Sequence, residues 1–261
     1  MFWLELLLKI AMTASIVVVA SIVVERSGPF IGAVIASLPT AGGAALIILA
    51  IEHPPDFVAA SAVGSIVANA VVAIFALSYA ALAQRQSLPV SLVGAFAIWF
   101  GVAGLTRLVD WTATSAVLLN LVVFPIAIVL GRRFRVPGGI KTRVMLTTGD
   151  LAWRACVVTL CVIIVTAAST SIGSFVSGLF AFFPVAMGSF LLILHSRLGG
   201  PAAASVAAHV QTPLIGLGLG LLAVHLLAPA IGVWWSYGIG LSIQLGWNAL
   251  LWLVRNPAER P

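Results

Sequence analysis

The sequence predicts an all-α integral membrane protein made of two inverted copies of one unit, and three observations lead there. Hydrophobic residues make up 62% of the chain and charged residues 8%, against roughly 25% charged in soluble domains. The apolar residues fall in runs of about 20, the length at which a helix crosses ~30 Å of hydrocarbon. The first half also returns 145 positions later: Glu5, Lys9, Gly28, Phe30, Pro39 and Gly43 recur as Asp150, Arg154, Gly173, Phe175, Pro184 and Gly188. That register runs without a gap from Glu5 to about Ile51 and reappears at Gly101 and Gly246.

Nine spans follow from the apolar runs, at 4–24, 29–51, 57–83, 88–106, 111–131, 151–170, 172–195, 202–226 and 229–254. The connections are short and carry turn residues, as in His53-Pro54-Pro55-Asp56 and Leu198-Gly199-Gly200-Pro201. Proline in the first turn of the third and eighth spans is a normal helix start, because the missing N–H has no partner there anyway. The first span carries Glu5 and Lys9 and no convincing cleavage site before Arg26, so it reads as a retained helix. Cys156 and Cys161 share one apolar span at a spacing that places them on different faces. They form neither a disulfide framework nor a metal-ligand pattern.

The long basic stretch from Gly131 to Gly149 divides the chain into repeat one (1–108), a connector span with its loop (109–149) and repeat two (150–261). Cytoplasmic loops hold the excess Lys and Arg. With the 131–149 loop inside, Arg26, Arg85, Arg132, Arg133, Arg135, Lys141, Arg143, Arg154, Arg197, Arg255 and Arg260 fall inside, and only Lys9 and Arg107 outside. The N-terminus is then out and the C-terminus in. The single connector span turns the second copy over, giving a 4+1+4 inverted repeat, the plan of many secondary transporters. The pI near 10.4 therefore reports topology and does not point to nucleic acid.

Within each copy the second span is interrupted. Ser37-Leu38-Pro39-Thr40-Ala41-Gly42-Gly43 recurs as Phe182-Phe183-Pro184-Val185-Ala186-Met187-Gly188. Proline removes a backbone donor and clashes with the carbonyl four residues back, so helices 2 and 7 are expected to kink or break near mid-membrane, freeing the carbonyls of Ile35 and Phe180. The start of each second half-helix would carry partial positive charge and free donors, which suits an anion. The alternative is an ordinary proline kink between packed helices. Pro39, Thr40, Gly42, Gly43, Pro184 and Gly188 are thus the candidate site, with His209 as a proton carrier and Gln211 beside it in the eighth span.

Glu5 with Lys9 and Asp150 with Arg154 place acid and base at i,i+4, on one helix face. Their position near span ends reads first as interface anchoring by long side chains, and second as cationic vestibules for an anion. Other polar residues within spans are Ser61, Ser65, Asn69, Asn120, Gln244 and Asn248. These serve either a site or the gluing of helices. Gly216-x-Gly218-x-Gly220 reads as close helix packing. All seven acids lie at span ends or in loops, which disfavours a metal-cation exchanger. No phosphate-cradling loop, nucleophile–base pairing or metal motif is present, so the chain reads as neither an enzyme nor a cofactor protein.

Each half resembles the GlpM-like family of small four-span bacterial inner-membrane proteins. The first half carries Lys9, Arg26, Gly32, Leu38-Pro39-Thr40 and Glu52-His53, and the second Arg154, Gly178, Phe183-Pro184 and His195. The resemblance implies a bacterial inner-membrane setting for a duplicated four-span unit. The expected function is a small secondary transporter or exporter of an anionic or zwitterionic molecule. A non-transporting accessory or scaffold subunit of an envelope complex is the alternative, and a lipid-phosphate flippase a third reading. The expected partners are the bilayer and the substrate, with a homodimer allowed and no nucleic acid.

Overall fold

The computed structural model describes residues 40–136 and 147–254, with scattered residues of the first span (11, 13–15, 18 and 19). The described residues form α1 (Thr40–Glu52), α2 (Pro55–Leu82), α3 (Leu88–Thr106), α4 (Ala113–Gly131), α5 (Thr148–Ala181), α6 (Val185–Leu198), α7 (Gly200–His209), α8 (Gln211–Ile231) and α9 (Val233–Val254), with a 3-10 turn at Arg132–Phe134 after α4. Glu5, Lys9 and Pro39 lie outside the described residues.

Local chemistry explains the element ends. α4 and α5 each open on a capping box. The Ser115 amide donates to Thr112 Oγ1 and the Asp150 amide to Thr147 Oγ1, while each partner side chain accepts from the cap residue's own amide. α2 starts at Pro55 and α7 carries Pro201 in its first turn. Gly173 bends α5 with φ 79° and ψ 169°, a region that residues with a Cβ scarcely enter. Gly199 (φ 84°) and Gly232 (φ 86°) use the same conformation to turn between helices. The turn at Gly232 also shifts the ninth span: it begins at Val233, and Pro229 belongs to the last turn of α8.

Six helical stretches among the described residues are long and apolar enough to cross a membrane: Pro55–Leu82, Leu88–Thr106, Ala113–Phe134, Thr148–Leu198, Gly200–Ile231 and Val233–Val254. The fourth holds 51 residues, about 77 Å if straight, far beyond ~30 Å of hydrocarbon. It folds back on itself, so that Arg197 near its end pairs with Asp150 near its start. α1 is a shorter apolar helix.

The bundle is built around α2. Some 83% of its most apolar window is buried inside the protein, against 17% for the outer helices α4 and α9. α3, α4, α5, α7 and α8 pack around it. α8 runs antiparallel to it: the Ala59 carbonyl accepts from His225, Leu214 O from Asn69, and Ala73 O from Gln211, so α8 numbers fall as α2 numbers rise. Against α5 the approach is closer. A Cβ on Gly64 would overlap the Phe175 carbonyl, and one on Gly178 the Ser61 carbonyl. Glycine at both positions lets the two backbones touch, and Ser65 Oγ donates to Gly178 O across the contact (3.0 Å). In lipid such close packing and interhelical bonds take the place of hydrophobic collapse.

The same logic holds for the glycine series of α8. Gly216 leaves room for Trp247, Gly218 faces Asn69, and Gly220 meets the Gly240 backbone of α9. α9 is further tied by Trp247 Nε1 to Thr212 O (3.0 Å) and by Tyr237 Oη to Leu46 O of α1 (2.9 Å).

Candidate functional site

The helix containing Pro184 is broken, not merely bent. α5 ends at Ala181, Phe182 and Pro184 take non-helical angles (φ −101°, ψ 22° and φ −76°, ψ 39°), and α6 starts at Val185. The Phe180 carbonyl, which proline was expected to leave free, accepts from the Phe183 amide (2.9 Å), so the chain tightens at once into a turn. The Val185 amide goes to Phe183 O and the Gly188 amide to Pro184 O. Ala186 and Met187, the intervening residues of the first turn, present amides that the helix itself cannot satisfy. On α2, Ser65 meets Gly178 before the break and Tyr79 meets Leu191 after it, which sets the break beside the middle of α2.

An aromatic wall encloses the break. Phe183 lies 4.9 Å, ring to ring, from Trp99 and 5.4 Å from both Phe96 and Phe100, while Phe180 lies 5.5 Å from Trp99. Trp99 is fully buried and its Nε1 has no hydrogen-bond partner. Gly188 is the reason α3 comes so near: a Cβ there would sit 2.6 Å from the Phe96 ring. From the other side α1 arrives at Gly42, where a Cβ would sit 2.7 Å from the Phe182 ring. The structure therefore brings Gly42, Pro184 and Gly188 to one place. Gly43 follows Gly42 on α1 and is half-buried, and the backbone of Thr40 begins that helix.

His209 and Gln211 stand where α7 gives way to α8 at Val210, three residues after which Pro213 lacks a donor. His209 Nδ1 bonds Ser205 O at 2.7 Å. Gln211 is fully buried against α2, its Nε2 donating to Ala73 O at 3.1 Å while Oε1 has no partner. These bonds tie His209 back to α7 and Gln211 to α2. Asn69 donates to Asn120 Oδ1 (3.1 Å) and to Leu214 O (2.9 Å), and Asn120 donates on to Ile66 O (2.8 Å). This network ties α2, α4 and α8 together, and Asn69 and Leu214 are themselves 145 residues apart.

The charges are distributed differently from the spacing. Asp150 accepts from the Thr147 amide and hydroxyl (2.7 and 2.8 Å) and pairs with Arg197, 47 residues on. Arg154 is left buried, 7% exposed, with its guanidinium over the Phe190 ring of α6 at 5.2 Å and neither Nε nor Nη1 hydrogen-bonded. A side chain with so little exposure does not snorkel to headgroups, so anchoring at the interface does not describe it. Phe190 and Trp99 were invisible as site residues in the sequence, since an aromatic in an apolar run gives no sign of what it stacks on. Among the described residues no group of three His, Cys, Asp or Glu could hold a metal ion. No protein-family model, curated protein or solved structure matches the chain.

Proposed function

We propose that the protein is a small secondary transporter or exporter of an anionic or zwitterionic molecule, with its site at the broken helix. The observation that carries this reading is the complete interruption at Phe182–Pro184 beside the middle of the central helix. Irregular backbone at membrane depth is tolerated where it lines a cavity or lies inside protein, and half-helix starts there are where transporters bind anions. The amides of Ala186 and Met187 and the positive end of α6 supply the donors.

A 4+1+4 inverted repeat of nine spans completes the proposal, and the α2–α8 register supports it. Helices that are repeat equivalents run parallel when the repeat axis lies along the membrane normal and antiparallel when it lies in the membrane plane. α2 and α8 are repeat equivalents, they run antiparallel, and they meet at the equivalent residues Asn69 and Leu214. The setting consistent with the resemblance is a bacterial inner membrane, with the basic end cytoplasmic, the N-terminus out and the C-terminus in.

The accessory-subunit reading is favoured by one feature, the dense packing of Trp99, Phe96 and Phe183 on the break. Cysteine accessibility separates the two. With Cys156 and Cys161 replaced, single cysteines at Phe183 and Ala186, both half-buried, are challenged with impermeant thiol reagent from each side. Labelling of one position from either side, in mutually exclusive states, is the expected outcome. Protection from both sides under all conditions would sink the transporter and leave the scaffold.

A further inference from the structure

We infer that Arg154 is the anion-recognising residue of this protein and that its ligand is a singly charged oxyanion, a carboxylate or phosphodiester. This deepens the transport reading and rests on it for the ligand's passage, though not for its binding. Arg154 is the one charged residue that is buried among the described residues. Burial of a lone cation is costly, and intramembrane charges that persist are paired or functional.

The obvious partner is occupied. Asp150, one turn earlier on the same helix, is held by Thr147 and Arg197. The Phe190 ring takes one face of the guanidinium, and a ring on that face leaves the in-plane N–H edges open. Both Nε and Nη1 remain without a partner, so a donor stands ready on two edges of the fork. Each of these edges is a fork shared with Nη2, and an oxyanion seated on either one takes an unpaired donor of a charged guanidinium. With a single buried positive charge, a monoanion restores neutrality and a dianion leaves an excess charge in a low-dielectric interior. The Asp150–Arg197 pair joins the start of α5 to the end of α6, one helical turn from Arg154.

The test uses the full-length protein in neutral detergent, with sodium propionate as probe at constant ionic strength and thermal unfolding as the readout. A ligand that binds the folded state raises Tm in a saturable way. Propionate is expected to raise the Tm of the wild type, sulfate to raise it far less, Arg154→Gln to abolish the response, and Arg154→Lys to weaken apparent affinity by roughly tenfold. Phe190→Leu, which keeps the charge, is expected to weaken it as well and serves if the Arg154→Gln variant does not fold. A second arm reconstitutes the protein in phosphatidylcholine discs with and without phosphatidylglycerol. A response that depends on Arg154 and appears only with phosphatidylglycerol would assign the oxyanion to a lipid headgroup. An equal propionate response in wild type, Arg154→Gln and Arg154→Lys, an equal response to sulfate, or no response that depends on Arg154 in either arm would overturn the inference. Binding that depends on Arg154 without two-sided labelling at Ala186 would keep the anion site and dismiss transport. Two-sided labelling without such binding would do the reverse.

Discussion

Two buried asparagines show how differently the same side chain behaves at the residue scale. Asn69 is fully buried and its amide donates to both α4 and α8, whereas neither amide atom of Asn248, buried on α9, has a partner. Removing a satisfied group strands its acceptors, while removing an unsatisfied one relieves a desolvation cost. Interhelical bonds in membranes contribute modestly, on average ~0.6 and at most ~1.7 kcal/mol. Asn69→Leu is therefore expected to lower unfolding stability in detergent by about 1–2 kcal/mol, and Asn248→Leu to leave it unchanged or raise it. A loss of stability in Asn248→Leu equal to that in Asn69→Leu would mean that the Asn248 amide has a role beyond its contacts here. The residue scale is also where sequence reading reached its limit. An i,i+4 spacing correctly put Asp150 and Arg154 on one helix, but it could not register that Arg197, 47 residues away, folds back to claim the acid. The polar ladder Asn69–Asn120–Leu214 likewise joins three spans, and no local window contains it.

At the scale of elements the glycines separate into those that permit contact and those that do nothing. Gly64 and Gly178 face one another's helices so closely that either methyl would overlap a carbonyl. Gly64→Ala and Gly178→Ala are each expected to cost about 1–3 kcal/mol or to prevent folding, as overpacking does. Gly101 and Gly246, 145 positions apart, have nothing within 4 Å of an added Cβ. Alanine there is expected to be neutral or to stabilise by about 0.5–1 kcal/mol through helix propensity. Measuring all four in one detergent checks the helix contacts directly, and a tolerated Gly178→Ala would contradict the α2–α5 crossing. Elements were legible in the sequence where their causes are local. The first-turn prolines of the third and eighth spans and the interruption at Pro184 act within a few residues and were read from local chemistry, whereas the capping boxes at Thr112 and Thr147, equally local, were not. The exception is instructive: Pro229 looked like a helix start, but three residues further Gly232 supplies the positive φ that a turn needs, so the proline stays in the last turn of α8.

For the whole molecule the decisive quantity is the number of membrane crossings between its halves, because the proposed inversion requires that number to be odd. The contacts Ala83 with Gly200, Gly131 with Ala208 and Val136 with Ser205 bring the end of α2 and the end of α4 against the short helix α7. Arg85, Arg132, Arg133, Arg135 and Arg197 flank these contacts, so one end of the protein gathers the bases. Lysine and arginine near span ends set orientation, and the proposed topology therefore puts this end in the cytoplasm. Between Asp110 and Val254 lie α4, the two arms of Thr148–Leu198, the α7–α8 stretch and α9, an odd number of crossings if each spans the bilayer. A reporter that works only in the cytoplasm is therefore expected to be active when fused after Val254 and silent when fused after Asp110, with an exported enzyme reporter giving the opposite pattern. Replacing Arg132, Arg133 and Arg135 together by Gln weakens the signal that holds this end in place and is expected to produce a mixed population. The same reporter active at both sites would require an even number of crossings. The two copies would then share one orientation, and the antiparallel meeting of α2 and α8 at Asn69 and Leu214 would need a cause other than inverted duplication.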